Sequence, residues 1–147
     1  MFNEHVHTVA VTASVSPWPA RIATALFALS AGFSGASMVL WREPIPEVFA
    51  RLELPFALAA LLGAWKILGA LALFVPGVPR LKEWIYAGFA FELSGAVALH
   101  LAAGDTLTQS GGPILLFVMG AASYVLRRRE EDALDVPSAA VDPEPAA

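Results

Sequence analysis

Cysteine is absent from all 147 residues of the sequence, and charged side chains are scarce. The lack of cysteine excludes disulfide bonds, thiol nucleophiles, Fe–S clusters and thiolate-bound zinc from the chemistry of this chain. Charged residues make up 15% of it, against about 25% in typical soluble domains. Histidine occurs three times, at His5, His7 and His100, and only His100 lies in an apolar stretch. A haem held inside a membrane by two histidines of one chain is therefore disfavoured.

Several other kinds of site also find no support in the sequence. There is no basic face, so we expect no nucleic-acid partner. No glycine-rich phosphate loop follows a strand-like segment, so no cofactor-binding residues are identified. His5 and His7 form one isolated His-x-His pattern near the N-terminus, which is too little for a metal site. No metal ligands are assigned.

Long apolar runs dominate what is present. Hydrophobic residues supply 57% of the chain, and the mean hydropathy is +0.64. A helix that spans a bilayer needs about 20 predominantly apolar residues. Four stretches meet or approach this length, at 22–41, 55–75, 82–103 and 113–126. The charged connector 42–54 predicts a short helix at the membrane interface. The fold prediction is an all-α, four-helix transmembrane bundle.

Lysine and arginine predict the orientation of the four spans. One side of the membrane receives two basic residues, Arg42 and Arg51, and the other side receives six, namely Arg21, Arg80, Lys82, Arg127, Arg128 and Arg129. Positive charge accumulates in cytoplasmic loops. Both termini are therefore predicted to be cytoplasmic.

The flanking segments differ in composition from the apolar body. Residues 1–19 lack the basic start and apolar run of a secretory signal peptide and predict a flexible arm. Residues 20–128 form the predicted transmembrane domain. Residues 129–147 are rich in alanine and proline and carry six of the thirteen acidic residues, which predicts a disordered acidic tail.

Two opposite charges interrupt the central apolar runs. Lys66 lies ten residues before Pro76, and Glu92 lies nine residues after Glu83. On consecutive antiparallel helices, both side chains then lie about 14 Å from the same membrane boundary. An isolated charge at the bilayer centre costs roughly 2.5–3.5 kcal/mol. We therefore predict a Lys66–Glu92 ion pair inside the bundle, either as a purely structural link or as part of a site.

His100 and Asp105 extend this polar set toward the opposite surface. His100 follows Glu92 by eight residues, which places it about 12 Å further along the helix. Asp105 follows at the predicted outer mouth. Such groups carry protons or bind polar ligand heads. The alternatives are an interfacial histidine bonded to water or a loop carbonyl, and a turn aspartate after Gly104.

Three short motifs carry a resemblance to a known family. They are "KILGA" (66–70), "RLKEW" (80–84) and "HLAAGD" (100–105). With their surroundings, over about residues 20–128, they resemble the DoxX-like family of small four-helix bacterial membrane proteins. The chain departs at Glu53-Leu54, where that family often has Gly-Tyr. It also departs at Glu92 and Leu99, where aspartate and serine are frequent.

The resemblance implies a location rather than a reaction. It implies a multi-pass protein of the bacterial cytoplasmic (inner) membrane. The family takes its name from a subunit associated with a terminal quinol oxidase and with thiosulfate:quinone chemistry, and its relatives look like accessory subunits of redox or stress-related assemblies. A quinone is thus implied as cofactor by the resemblance only.

Three functional hypotheses follow. The leading one is a non-catalytic accessory subunit, whose partners are the lipid bilayer and either other membrane subunits or further copies of the chain. The second is an enzyme that acts on an apolar small molecule, with Glu92 or His100 as general acid or base. The third is a conduit for protons or small solutes.

Overall fold

The computed structural model describes residues 16–134, and within this range every regular element is an α-helix. This confirms the predicted all-α class. The segments 1–15 and 135–147, which contain most of the predicted arm and tail, lie outside the described residues. The helices are α1 (Trp18–Val39), α2 (Ile45–Arg51), α3 (Phe56–Ala72), α4 (Pro79–Ala102) and α5 (Gly111–Leu134).

Proline and glycine set most of the helix boundaries. Proline lies in the first turn of α1 and of α4, where its missing N–H costs no hydrogen bond. Between α3 and α4, Gly77 has φ +75°, a left-handed conformation that glycine adopts without steric cost. The sequence "PGV" (76–78) therefore separates these two helices, and Pro79 begins α4. The short interfacial helix expected in 42–54 corresponds to α2.

The last helix is longer than the sequence pattern indicated. It continues to Leu134, whereas the predicted span ended at 126 and the predicted tail began at 129. Ion pairs along the helix account for the extension. Arg127 lies 3.2 Å from Glu131, four residues later, and 2.9 Å from Glu83 of α4. Pairs at this spacing stabilise a helix that leaves an apolar environment.

The long helices pack as antiparallel neighbours with α1 at the centre. α1 contacts both α3 and α5, α4 packs on α5, and α3 and α4 make little contact. The closest approach lies between Gly35 of α1 and Gly63 of α3. A Cβ atom built on Gly63 would lie 2.6 Å from the Gly35 carbonyl oxygen. Glycine at both positions therefore permits this crossing, as small residues do between membrane helices.

The buried core forms two clusters, one in each half of the bundle. We call the half that contains the start of α1 and the end of α5 the basic end, and the half capped by α2 the α2 end. The larger core cluster lies at the basic end and includes Phe27, Ala31, Ala70, Tyr86, Phe89 and Leu93. At the α2 end, Met38, Phe49 and Ala59 connect α1, α2 and α3. The space between these three helices and the far halves of α4 and α5 contains a cavity.

One departure from the resembled family, Glu53, lies three residues before the start of α3. Glu53 has φ +54°, a conformation that is uncommon for a residue with a Cβ atom. Family members often have glycine at this position, which adopts it at no steric cost. The Glu53-Leu54 departure therefore falls at a strained connector, while the backbone turn itself is retained.

The surface of the described helices is strongly apolar. Phe33, Trp84 and Phe91 are 77–79% exposed, and soluble monomers rarely expose large contiguous apolar patches. Two helices, α1 and α4, are long and apolar enough to cross a membrane. α3 has 17 residues, and the last part of α5 carries the charged run 127–132.

Candidate ligand cavity and its polar groups

A cavity of about 900 Å³ lies at the α2 end of the bundle. Its wall is made of α1, α2, α3, α4 and α5 side chains, and most of the lining surface is apolar. Leu29, Phe33, Phe91 and Leu115 lie in this lining and are also largely exposed. The cavity therefore opens sideways, through an apolar rim, onto the surface of the bundle.

Lys66 and Glu92 lie at the inner limit of this cavity. The Lys66 Nζ atom is 3.1 Å from Glu92 Oε1 and donates a hydrogen bond to Ser34 Oγ at 3.3 Å. The two charged side chains are 8% and 17% exposed. Gly35 leaves room for the lysine between α1 and α3, since a Cβ atom built on it would lie 2.9 Å from Lys66 Cβ. The structure thus brings the two residues of the predicted pair into direct contact.

The pair also separates the cavity from a smaller groove. The groove has a volume of about 470 Å³, lies between α3 and α4, and is lined by Lys66 and Glu92 on one side. Trp65, Trp84 and Gly88 form part of its other walls. Since α3 and α4 otherwise touch little, the ion pair is a main link between them at mid-height.

His100 and Asp105 form a second pair toward the α2 end. His100 is in the last turn of α4, and its Nδ1 atom is 2.6 Å from Asp105 Oδ2. Gly104, with φ +80°, reverses the chain, and the Asp105 N–H donates to the His100 carbonyl oxygen at 3.0 Å. This turn places the Asp105 side chain next to His100. His100 lines the cavity, as Lys66 and Glu92 do.

Arg51 completes this second cluster, and sequence reasoning missed it. The Arg51 Nη2 atom is 3.1 Å from Asp105 Oδ2, so one carboxylate binds both the arginine of α2 and the histidine of α4. In the sequence, Arg51 contributes only to the predicted orientation of the spans. No local signal connects it to Asp105, because 54 positions separate the two residues in the chain.

A further polar cluster lies at the basic end, outside the cavity. Glu83 accepts hydrogen bonds from Tyr124 and Arg127, each at 2.9 Å. Nearby, Ser123 Oγ lies 2.7 Å from the Tyr86 hydroxyl and 3.0 Å from Thr24 Oγ1. These contacts connect α1, α4 and α5. Sequence reasoning gave Arg127 no role beyond the orientation of the spans and gave Glu83 no partner.

Metal chemistry has no candidate centre in the described range. Within residues 16–134, no three His, Cys, Asp or Glu side chains are grouped as a metal ion would require. His5 and His7 lie outside the described residues.

Comparison with sequence models of protein families gives a match that covers most of the helical bundle. The sequence model of the DoxX-like family matches residues 22–123, which is more than half of the chain. The chain belongs to the DoxX-like family. The match includes Lys66, Glu92, His100 and Asp105, so both polar pairs lie in the family region.

Comparisons with individual proteins give no match. No curated protein and no solved structure matches this DoxX-like chain at a significant level. Membership of the family and the two long apolar helices together point to a membrane protein.

Proposed function

We propose that this DoxX-like protein is a multi-pass membrane protein that binds a neutral, lipid-soluble small molecule in the cavity at the α2 end. The observation that carries the proposal is the cavity itself, which is apolar, open at its rim and lined by Lys66, Glu92 and His100. Ligand sites of proteins typically have volumes of roughly 300–1,000 Å³. The volume of about 900 Å³ falls in this range.

Charge balance supports a neutral ligand. Lys66 is paired with Glu92, and Arg51 is paired with Asp105. An ionic ligand would add an uncompensated charge to an apolar environment, which is costly. A neutral molecule with an oxygen head group avoids this cost and still forms hydrogen bonds.

The proposed membrane arrangement has α1, α3, α4 and α5 as four spans. α3 and α5 lie alongside α1 in antiparallel contact, so a bilayer that surrounds α1 also surrounds them. The basic end carries the larger number of lysine and arginine residues, which favours the cytoplasm for this end. We place the protein in the bacterial cytoplasmic membrane with both termini inside the cell.

An accessory role fits this arrangement. Gly88 on α4 has open space where a side chain would stand, and small residues favour contact with another membrane helix. The resemblance implies a redox or stress-related partner and a quinone. Lys66 has an N–H beyond those used for Ser34 and Glu92, which suits one quinone carbonyl oxygen.

An enzyme is the second candidate, and the His100–Asp105 contact favours it. A carboxylate that orients an imidazole is a common device of acid–base catalysis. A conduit has less support, because the buried side chains of Phe27, Phe89 and Leu93 lie between the cavity and the surface of the basic end.

A bulky side chain at Gly95 is expected to remove the bound molecule. Gly95 lines the cavity, and nothing lies within 4 Å of a Cβ atom built on it. Gly95→Phe therefore occupies cavity space without displacing the backbone. The protein is purified from its native membrane in mild detergent, and mass spectrometry measures the bound lipid-soluble molecule per chain. We expect occupancy to fall at least about fivefold, because the phenylalanine side chain takes up the cavity space that the bound molecule needs.

Gly88→Phe is the matched control. Gly88 precedes Gly95 by two helical turns on α4, has equal free space, and lines the smaller groove but not the cavity. Its occupancy should equal that of the unchanged protein. Equal occupancy in all three proteins, or loss only in Gly88→Phe, would exclude the cavity as the binding site.

The accessory role is tested by co-purification. We expect a membrane partner at about one copy per chain in mild detergent extracts, as a stable assembly requires. Substitution of an exposed α4 glycine that faces the groove, Gly88→Leu, should reduce recovery of the partner, because the bulky side chain prevents close helix contact. A chain that purifies alone with its bound molecule would reject the accessory role and favour a carrier or an enzyme.

A further inference from the structure

We propose that His100 binds the ligand through a hydrogen bond that its Nε2 atom accepts, and that the ligand is an apolar molecule carrying a hydroxyl group. This inference rests on the proposed binding function and names the chemical class of the ligand. Asp105 is the positioning residue, since it acts on the ligand only through His100.

The tautomer of His100 follows from its neighbour. Nδ1 lies 2.6 Å from Asp105 Oδ2, and an ionised carboxylate only accepts hydrogen bonds. Nδ1 therefore carries the proton. In a neutral imidazole the other ring nitrogen then has a lone pair and no hydrogen. Nε2 is an acceptor, and its ligand partner must donate.

Arg51 shares the Asp105 carboxylate with His100. Its Nη2 atom lies 3.1 Å from the same Asp105 oxygen, and the His100 and Asp105 side chains are 7% and 5% exposed. Asp105 is thus balanced by Arg51 as well as bound to His100. Glu92, the nearest other carboxylate on α4, is two helical turns away and paired with Lys66.

Nε2 is the ring nitrogen of His100 that the contact with Asp105 leaves without a partner. Among the described residues it has no hydrogen-bond partner, and the only fully enclosed side-chain nitrogen or oxygen without a partner there is Arg127 Nε. Nε2 therefore retains accessible surface, and His100 lines the cavity. A bound molecule without a hydrogen-bond donor would leave this acceptor unpaired, and its binding would be weaker for that reason.

The path from His100 to Glu92 accommodates the apolar part of such a molecule. Between them, α4 presents Gly95, Ala96 and Leu99 to the cavity, over about 12 Å of helix. A hydroxyl at Nε2 therefore places an apolar body along a smooth wall, with the exposed rim residues Phe33 and Phe91 beside it. The geometry fits a long alcohol or an alkylated phenol.

The test compares two probes that differ by one hydrogen-bond donor. 4-Dodecylphenol carries an O–H group, and 4-dodecylanisole has the same ring and chain with a methyl ether instead. The full chain is inserted in phospholipid nanodiscs, each probe is added as a mole fraction of the lipid, and native mass spectrometry measures occupancy. We expect the phenol to bind about tenfold more tightly.

Three variants test which residues cause the preference for the phenol over the anisole. His100→Phe should bind both probes with equal affinity. Asp105→Asn should reduce the preference to within about twofold, because an amide can donate as well as accept and no longer fixes the tautomer. Glu83→Gln makes the same acid-to-amide change outside the cavity, and it should retain the full preference. The ratio of affinities is unaffected by a general loss of stability.

The outcomes separate the two proposals. Saturable binding of both probes with equal affinity in the unchanged protein would overturn the role of His100 and leave the binding function intact. No saturable binding of either probe would overturn both. A preference that survives His100→Phe would assign the donor contact to another group, and it would also reject this inference. If His100→Phe fails to fold, Asp105→Asn alone decides.

Discussion

Lys66→Met is expected to destabilise the protein by about 3 kcal/mol, the cost of leaving a buried charge without its partner. Removal of the ammonium leaves the Glu92 carboxylate at the cavity wall, where it is 17% exposed. Ser34 also loses its hydrogen bond from Lys66. The free energy of unfolding is measured by denaturant titration in mixed micelles.

Two further variants make this result specific. Arg128→Met removes a cation that is 51% exposed and forms surface ion pairs with Glu83 and Glu131. Exposed pairs contribute about 0–1 kcal/mol, so this control should change stability little. The double variant Lys66→Met, Glu92→Leu should recover most of the loss, because both charges are absent. If Lys66→Met alone were as stable as the unchanged protein, the pair would have no structural role.

Recovered stability in the double variant also gives a test of function. If that variant retains the bound small molecule, the Lys66–Glu92 pair serves only to hold the helices together. If it folds but loses the molecule, the pair belongs to the binding site. The two hypotheses left open by the sequence are thereby separated.

Gly63→Ala is expected to destabilise the protein by about 1–3 kcal/mol through overpacking of the α1–α3 contact. A Cβ atom at this position would lie 2.6 Å from the Gly35 carbonyl oxygen and 2.9 Å from Met38 Cβ. Neither backbone nor Cβ atoms can move aside without separating the helices. The same unfolding titration detects the loss.

Gly88→Ala is the control with the opposite expected sign. No atom lies within 4 Å of a Cβ built at Gly88. Alanine in place of glycine inside a helix otherwise stabilises by roughly 0.5–1 kcal/mol. Gly88→Ala should thus be neutral or stabilising. If both alanine variants were equally stable, α1 and α3 would not be in the close contact described.

The sequence was sufficient for the helices because each depends on local signals. The apolar runs, the breaker at Pro76 and Gly77 and the proline at the start of α4 act over a few residues. The end of α5 was misplaced because it depends on Glu83, which pairs with Arg127 from another helix. An arginine triplet after an apolar run indicates a membrane boundary, but it does not indicate where a helix stops.

Part of the candidate site could also be predicted from the sequence, because it depends on simple regularities of the helices. Equal depth on consecutive antiparallel helices was enough to predict that Lys66 and Glu92 are neighbours, and the structure places them 3.1 Å apart. The cavity was not foreseen. It lies between α1, α2 and α3 on one side and the far halves of α4 and α5 on the other, and such a gap leaves no trace in periodicity. The contact of Arg51 with Asp105 depends on where α2 lies on the bundle.

The uneven filling of the bundle has a mechanical consequence. At the basic end, the ring of Phe27 packs against the rings of Tyr86 and Phe89, with centroids 5.9 and 5.0 Å apart, and packed side chains resist compression. The cavity lies at the α2 end, which is therefore the softer half. We expect a ligand that is somewhat too large to be accommodated there by movement of the helices that line the cavity, while the helix crossings at the basic end remain fixed. Tolerance of ligand length and rigidity of the basic end thus coexist in one small protein.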